Sequence, residues 1–268
     1  MPSKPIFENM TVEILEKTED TLKIIIRGID EVIANTIRRT IISEVPTLAF
    51  KTLTFTKNES AMYDEVLAHR IGLLPIRMDK KSFKLPEKPE DEDKPTSSII
   101  FTLKEVGEKT VYAKDLKSKD PKAADVAFPN TPLVKLLKDQ KLELDAKAVM
   151  GIGKYHAKHS PGLVYVQELP SITIKDGADI EKIEKFLPGK LRKKNLKLSE
   201  LKDPIKWVME GCCEEVIESE FIRVEPSATD FILTIESWGN LDPKEVLLQA
   251  LDIISKKCSE FDKQIAKV

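Results

Sequence analysis

The patterning of this chain predicts an α+β fold. Alternating, strand-like segments dominate the first third and the middle, two short helical patterns interrupt them, and one long amphipathic helix closes the sequence. Apolar residues repeat every 2 positions on a half-buried strand and about every 3.6 on a helix, so the two are separable by period.

In TVEIL, Val12 and Ile14 alternate with polar residues, and in LKIIIRG, Leu22, Ile24 and Ile26 share a face, which predicts a hairpin turning across KTEDT. Asp30 then caps a helix reaching about Val45, stopped by Pro46. A strand through LAFKTLTFTKN follows. The segment SAMYDEVLAHRIGLLPI has helical spacing through Val66, Leu67 and Ile71 and ends near Gly72 and Pro75. Residues 86 to 95, PEKPEDEDKP, join three prolines to five acids, a composition that buries too little apolar area to order itself, and are expected to be an exposed loop. SSIIFTLKEVG, KLELDAKAVMGIG and PGLVYVQEL are strands, with the turn-rich KSKDPKAADVAFPNTP between the first two. From about Lys175 to Pro226 the character changes to short helical pieces with a basic run, GKLRKKNLK. Strand character returns in DFILTIESWG. The final helix runs from Asp242 to about Ala266, with Asp242 as cap, Pro243 in the first turn and Glu245 placed for a capping box.

Composition narrows function. At 268 residues the chain suits one large or two modest domains. Its 43 basic residues nearly cancel 45 acidic ones to leave a net charge of −2, which argues against a dedicated nucleic-acid binder. No run approaches the ~18 apolar residues of a membrane span, and MPSKPIFENM has no hydrophobic signal core, so a cytoplasmic protein without a membrane role is expected. Cys212, Cys213 and Cys258 are too few and too uneven for a disulfide framework.

Two helices hold the residues that call for an explanation. In ANTIRRTIISEVP, Ile33, Ile37, Ile41 and Val45 form one arc with Ala34, while Thr36, Thr40 and Ser43 are assigned to the opposite side. Asn35, Arg38, Arg39 and Ile42 fall together at a border. Forked guanidinium donors suit carboxylates and carbonyls, so two readings stand open: a solvated helix edge, or a docking surface. In the terminal helix, Leu247, Leu251, Ile254, Cys258, Phe261 and Ile265 follow a 4-3-4-3-4 spacing, a continuous seam suited to packing on this chain or on another.

Other chemistry is thin. His156 and His159 have an i, i+3 spacing, but zinc needs three or four ligands and nothing beside them in sequence completes a set. His69 reads as a hydrogen-bonded structural histidine. Adjacent Cys212 and Cys213 cannot take the C-x2-C geometry of cluster or zinc sites. There is no phosphate loop, dinucleotide fingerprint, nucleophile elbow or H-E-x-x-H, and no catalytic residue is assigned.

Taken together, ANTIRRTIISEVPT, NESAMYDEVLAHRIGLLPI with DLKSKDP downstream, GIGKYHAKHSPG, and FILTIESWGNLDPKEVLLQAL resemble, in order, the D-subunit family of archaeal DNA-directed RNA polymerases. That family is related to the third-largest subunit of eukaryotic nuclear polymerases and to the N-terminal domain of the bacterial alpha subunit. The resemblance implies an alpha-subunit-like, discontinuous dimerisation domain (1–48 and 227–268), an inserted mostly β domain (49–174) and a small ferredoxin-like insertion (175–226). It implies a non-catalytic assembly platform that pairs with the small L subunit, is joined by the N and P subunits, seats the large catalytic subunits, and meets DNA only through the complex. By match to the family's N-x-x-R-R and D-E-x-x-x-H-R segments, Asn35, Arg38, Arg39, Asp64, Glu65, His69 and Arg70 would be large-subunit docking residues, with Ile42 beside them. The seam of the last helix would face L. Some members bind iron–sulfur clusters in the ferredoxin-like insertion. Here only the cysteine pair remains, so a degenerate insertion is expected, with no cofactor or metal and with Ile183 and Leu187 at former ligand positions. The competing reading is a stand-alone redox or metal-binding protein built on such a module.

Overall fold

A computed structural model describes residues 10–174, 204–205 and 222–267. The cysteine pair Cys212 and Cys213, the basic run, Ile183 and Leu187 lie outside the described residues. Within them the chain is α+β, with three α-helices: α1 (Glu31–Glu44), α2 (Asp64–Gly72) and α3 (Pro243–Ile265). The chain divides into two compact units. One comprises Met1–Lys17, Leu22–Arg38 and Tyr165–Thr234; the other comprises Thr18–Thr21, Arg39–Val164 and Ile235–Val268.

The first unit is built on a four-stranded sheet, ordered β1 (Thr11–Lys17), β2 (Thr21–Arg27), β12 (Ile222–Ser237), β11 (Gly162–Ile174). The predicted hairpin is present, with Thr11 opposite Arg27 and a register shift between Ile14 and Glu16. On one face Ile25, Leu169 and Ile232 form a buried cluster, with Leu15 and Ile205 packed on it. After β2, Gly28 turns the chain with φ of +75°, a left-handed value that a side chain would oppose, and its N–H donates to Thr229 O. Asp30 caps α1 as expected, its Oδ1 accepting from Ile33 N at 2.7 Å. The strand predicted from Asp230 begins earlier, at Ile222.

The second unit centres on a sheet ordered β3 (Pro46–Asn58), β10 (Lys141–Ile152), β5 (Ser98–Val106), β7 (Lys117–Ser118). Phe50 and Phe101 meet edge to face at its core, with centroids 5.0 Å apart. Short ribbons pair β4 (Ile76–Met78) with β8 (Ala124–Val126) and β6 (Lys109–Tyr112) with β9 (Pro132–Leu136). Several of these lie in segments that read as turns.

Four local expectations are corrected. Thr40 is buried, not opposite the apolar arc: at 100° per residue it falls beside Ile33 and Ile37, within the covered face of α1. Val66 is 53% exposed and points away from Leu67 and Ile71, so it does not belong to the inner stripe of α2. The acidic segment is ordered rather than loose: Pro89–Asp93 forms a 3-10 turn, with Glu92 paired to Lys51, Asp93 to Lys147 and Asp91 to Lys94. Asp242 does cap α3, accepting from Lys244 N and Glu245 N, but Glu245 does not close a capping box. Its carboxylate turns instead to Lys80 Nζ, 2.5 Å away.

Candidate subunit interfaces

On α1 the sequence N-x-x-R places Arg38 one turn after Asn35, and Asn35 Oδ1 accepts from both Arg38 Nε (3.0 Å) and Nη2 (2.7 Å). The amide thus fixes the guanidinium as a rigid fork whose remaining donors face outward. Asn35 and Arg39 are exposed, and Arg38 and Ile42 are half-buried. The Arg39 guanidinium makes no ion pair or hydrogen bond among the described residues.

The end of α1 is clasped by the GIGKY turn, a contact that periodicity gave no sign of. Lys154 N donates to Ser43 O at 2.8 Å, satisfying one of the helix's terminal carbonyls. Gly153 lies so close that a Cβ there would sit 2.0 Å from Ile42 O. The G-x-G spacing was the available signal: a backbone this close to another backbone admits no side chain. Glu44 adds an ion pair to Lys257 of α3 at 2.5 Å.

On α2, Asp64, Glu65, His69 and Arg70 are all exposed, but two of them are already engaged. Asp64 accepts from Asn58 Nδ2 at 2.7 Å, and Arg70 sends Nε (3.1 Å) and Nη2 (2.8 Å) to Pro132 O. Those two orient the helix within the unit. Glu65 and His69 have no such partner among the described residues, so His69 is not the hydrogen-bonded structural histidine the sequence suggested. They share the outer surface with Tyr63, Val66 and Leu73, which are 79%, 53% and 56% exposed. Large apolar groups bared beside free polar ones make this face a candidate contact surface.

The third surface is α3. Val246, Gln249 and Ala250 are buried. The predicted seam lies on the neighbouring arc and is progressively bare: Leu247 and Ile254 are half-buried, Leu251 is 42% exposed, Cys258 is exposed, and Phe261 and Ile265 are 63% and 56% exposed. Within the described residues, the helix therefore has one face used and one apolar face without a partner.

A family model described as the RNA polymerase Rpb3/Rpb11 dimerisation domain matches residues 23–258, from within β2 as far as Cys258 of α3. The chain belongs to that family. Among its relatives are proteins named DNA-directed RNA polymerase subunit Rpo3, equivalent to the archaeal D subunit. That of Methanobrevibacter smithii is 36% identical, covering 94% of this chain and 97% of the relative. Those of Thermococcus kodakarensis and Pyrococcus furiosus are 35% and 33% identical, each covering 96% of this chain and 98% and 97% of the relative. Membership in the Rpb3/Rpb11 dimerisation family makes the chain an RNA polymerase subunit, and transcription its setting.

In this dimerisation-family chain the histidine pair serves packing. His156 Nδ1 accepts from Lys158 N, capping a 3-10 turn, while His159 is buried with Nδ1 3.1 Å from Thr47 O. A carbonyl only accepts, so Nδ1 carries the proton and donates; Thr47 Oγ1 returns a bond to His159 O at 2.8 Å. A Cβ on Gly151 would lie 2.6 Å from Nε2. The two rings are thus committed separately, and no group of three or more metal-ligating side chains is assembled among the described residues. No helix among them is long and apolar enough to cross a membrane.

Burial lowers the His159 pKa to about 4, opposed in part by the bond to Thr47 and aided by the charges of Lys158 and His156. The unfolded chain, with its histidine near 6.5, binds the proton more readily, so His159 contributes stability above that pH and loses it as pH falls towards 4. At about pH 5 the loss is about 2 kcal/mol. Melting temperature is expected to fall by several degrees between pH 7 and pH 5, and to do so less steeply in His159→Gln; equal slopes in thermal melts of the two proteins would contradict this.

Proposed function

We propose that this chain is a non-catalytic, cytoplasmic assembly subunit of a multisubunit DNA-directed RNA polymerase, pairing with the small L subunit and seating the large catalytic subunits. The observation that carries it is the bare seam of α3, where Leu251, Phe261 and Ile265 stand exposed at the spacing of an interhelical contact. Burying each such side chain is worth about 2 kcal/mol, enough in sum to drive pairing. Its framework is the discontinuous alpha-subunit-like domain (1–48 and 227–268), with the mostly β domain (49–174) inserted. Asn35, Arg38, Arg39 and Ile42 on α1, with Asp64, Glu65, His69 and Arg70 on α2, make the large-subunit platform. Arg38 and Arg39 act as forked donors, and Glu65 and His69 act beside the apolar Tyr63, Val66 and Leu73. Asp64 and Arg70 hold α2 in place through Asn58 and Pro132. The N and P subunits complete the assembly, and DNA is met only through the whole enzyme.

An affinity tag on this chain in its own cells should recover L and both large subunits together. Recovery of the chain alone, from cells whose polymerase is otherwise intact, would overturn the proposal. The insertion (175–226) is proposed to be a degenerate ferredoxin-like scaffold without a cluster. Anaerobically purified protein should then contain neither iron nor acid-labile sulfide, and a stoichiometric cluster would contradict that.

A further inference from the structure

A cavity of about 470 Å³ lies against the four-stranded sheet of the second unit, between the 85–92 segment and the turn at 155–159. That volume falls in the range of small-molecule sites. Val149 and Gly151, alternate residues that share one face of β10, belong to its lining, with Pro86 and Pro89 from the first segment and Tyr155 from the turn. Such walls suit the flat face of a ring.

His159 also lines the cavity and is 8% exposed. Its Nδ1 is committed to Thr47 O. A Cβ on Gly151 would stand 2.6, 2.7 and 2.8 Å from Nε2, Cε1 and Cδ2. These nearly equal distances put the glycine over the face of the ring rather than along the Nε2 lone pair. That lone pair has no hydrogen-bond partner among the described residues, and Nε2 is not one of their fully enclosed orphan atoms, which are Thr234 Oγ1, Asn240 Oδ1 and Gln249 Nε2. Nε2 is therefore within reach of a molecule in the cavity it lines. With the ring neutral at pH 7 and the proton on Nδ1, Nε2 can only accept.

The neighbouring Lys158 supplies the complementary demand. Its Nζ donates to Phe50 O at 2.7 Å, which leaves further ammonium protons free, and no carboxylate pairs with it among the described residues. Lys51 is neutralised by Glu92, and on the rim the exposed Glu87 and Lys88 offset each other, so Lys158 is the uncompensated charge of the cavity. Burial, aided by the Lys51 charge, holds the Lys158 pKa below the usual lysine range, with no acid to counter either. A half-buried ammonium is costly until an anion meets it.

We propose that this cavity binds a small ring-bearing organic anion with a hydroxyl or amine group, the chemistry of a nucleoside monophosphate, its donor on His159 Nε2 and its negative group on Lys158. An anion without a donor would satisfy only Lys158, and a neutral donor only His159.

The test titrates the complete chain, with its histidines labelled with ¹⁵N, with AMP, GMP, CMP and UMP. Calorimetry gives affinity, and the imidazole nitrogen spectrum reports the site, since the chain has only 3 histidines. At least one monophosphate is expected to bind with a dissociation constant below about 1 mM and to shift the Nε2 resonance of His159 while Nδ1 stays protonated. Adenosine and inorganic phosphate, each offering half of the chemistry, should bind about tenfold more weakly or not at all. Lys158→Met, which keeps the apolar stem, should weaken binding about tenfold, and Lys81→Met, outside the cavity, should not. The proposal is overturned if no monophosphate moves the His159 signal, if phosphate alone binds as tightly as the nucleotide, or if Lys158→Met, folded by its thermal melt, binds like wild type. Should that variant fail to fold, the His159 signal of the wild-type chain still decides.

Discussion

Leu251→Asp combined with Phe261→Asp is expected to abolish pairing with the small subunit while leaving this chain's own fold unchanged. Both side chains lie on the bare arc of α3, 42% and 63% exposed, so neither holds the second unit together. Surface substitutions of this kind usually change stability by about 0.5 kcal/mol or less. In the pair, the same positions would be buried against a partner helix. Each substitution then removes an apolar contact and leaves an unpaired carboxylate in a desolvated interface, two of the most costly changes an interface can suffer. Together they should raise the dissociation constant by about three orders of magnitude, or about 4 kcal/mol. Circular dichroism melts report the fold and analytical ultracentrifugation with the small subunit reports pairing. Val246→Asp, on the buried arc of the same helix, serves as the contrast: it should lower the melting temperature of the chain alone. If the double variant still pairs at micromolar concentration, the seam is not the interface.

The second large effect separates two steps of assembly. Arg38→Ala with Arg39→Ala should leave pairing with the small subunit intact but reduce recovery of complete polymerase at least tenfold. Arg38 is held as a fork by Asn35 Oδ1, which removes much of the entropy loss that a free arginine would suffer on binding. The guanidinium of Arg39 has no partner within the described residues, which leaves its donors available. Neither arginine anchors the core: the end of α1 is secured by Lys154 N on Ser43 O and by Glu44 with Lys257. Quantifying the large subunits that co-purify with tagged variant and wild type gives the ratio. A normal yield of full enzyme from the double variant would assign those arginines to solvent.

Local rules carried the reading of the sequence furthest. The first hairpin, the Asp30 cap of α1, and the position and Asp242 cap of α3 follow from periods and capping preferences that act within one turn or strand, and the structure has them all. What escaped depends on residues far apart in sequence. Glu245 forgoes the capping box for Lys80, 165 positions away. The acidic stretch at 86–95 orders because lysines on β3 and β10 reach it, not because it buries apolar surface. Strands β4, β6, β7, β8 and β9 are too short to show alternation and exist only through their pairing. Thr40 needed no structure at all, only the helical angles worked through.

Among the candidate interface residues, the exposed apolar row of α3 was legible because its spacing is regular along the whole helix. The burial of neighbouring Val246 and Gln249 makes the seam a second face rather than the core face. The α2 surface was legible only in part. Its charged residues stood out, but Tyr63 and Leu73 were not singled out, and Val66 was assigned inward, since an exposed apolar residue looks like any other until its surroundings are known. The clasp of Gly153 on α1 left only the G-x-G spacing as a trace.

Native mass spectrometry of this chain co-expressed with the small subunit tests the central claim most directly. The predicted spectrum is dominated by a one-to-one heterodimer that persists at submicromolar concentration. A spectrum of free chain, with the small subunit unbound beside it, would contradict the account of α3 as a pairing helix.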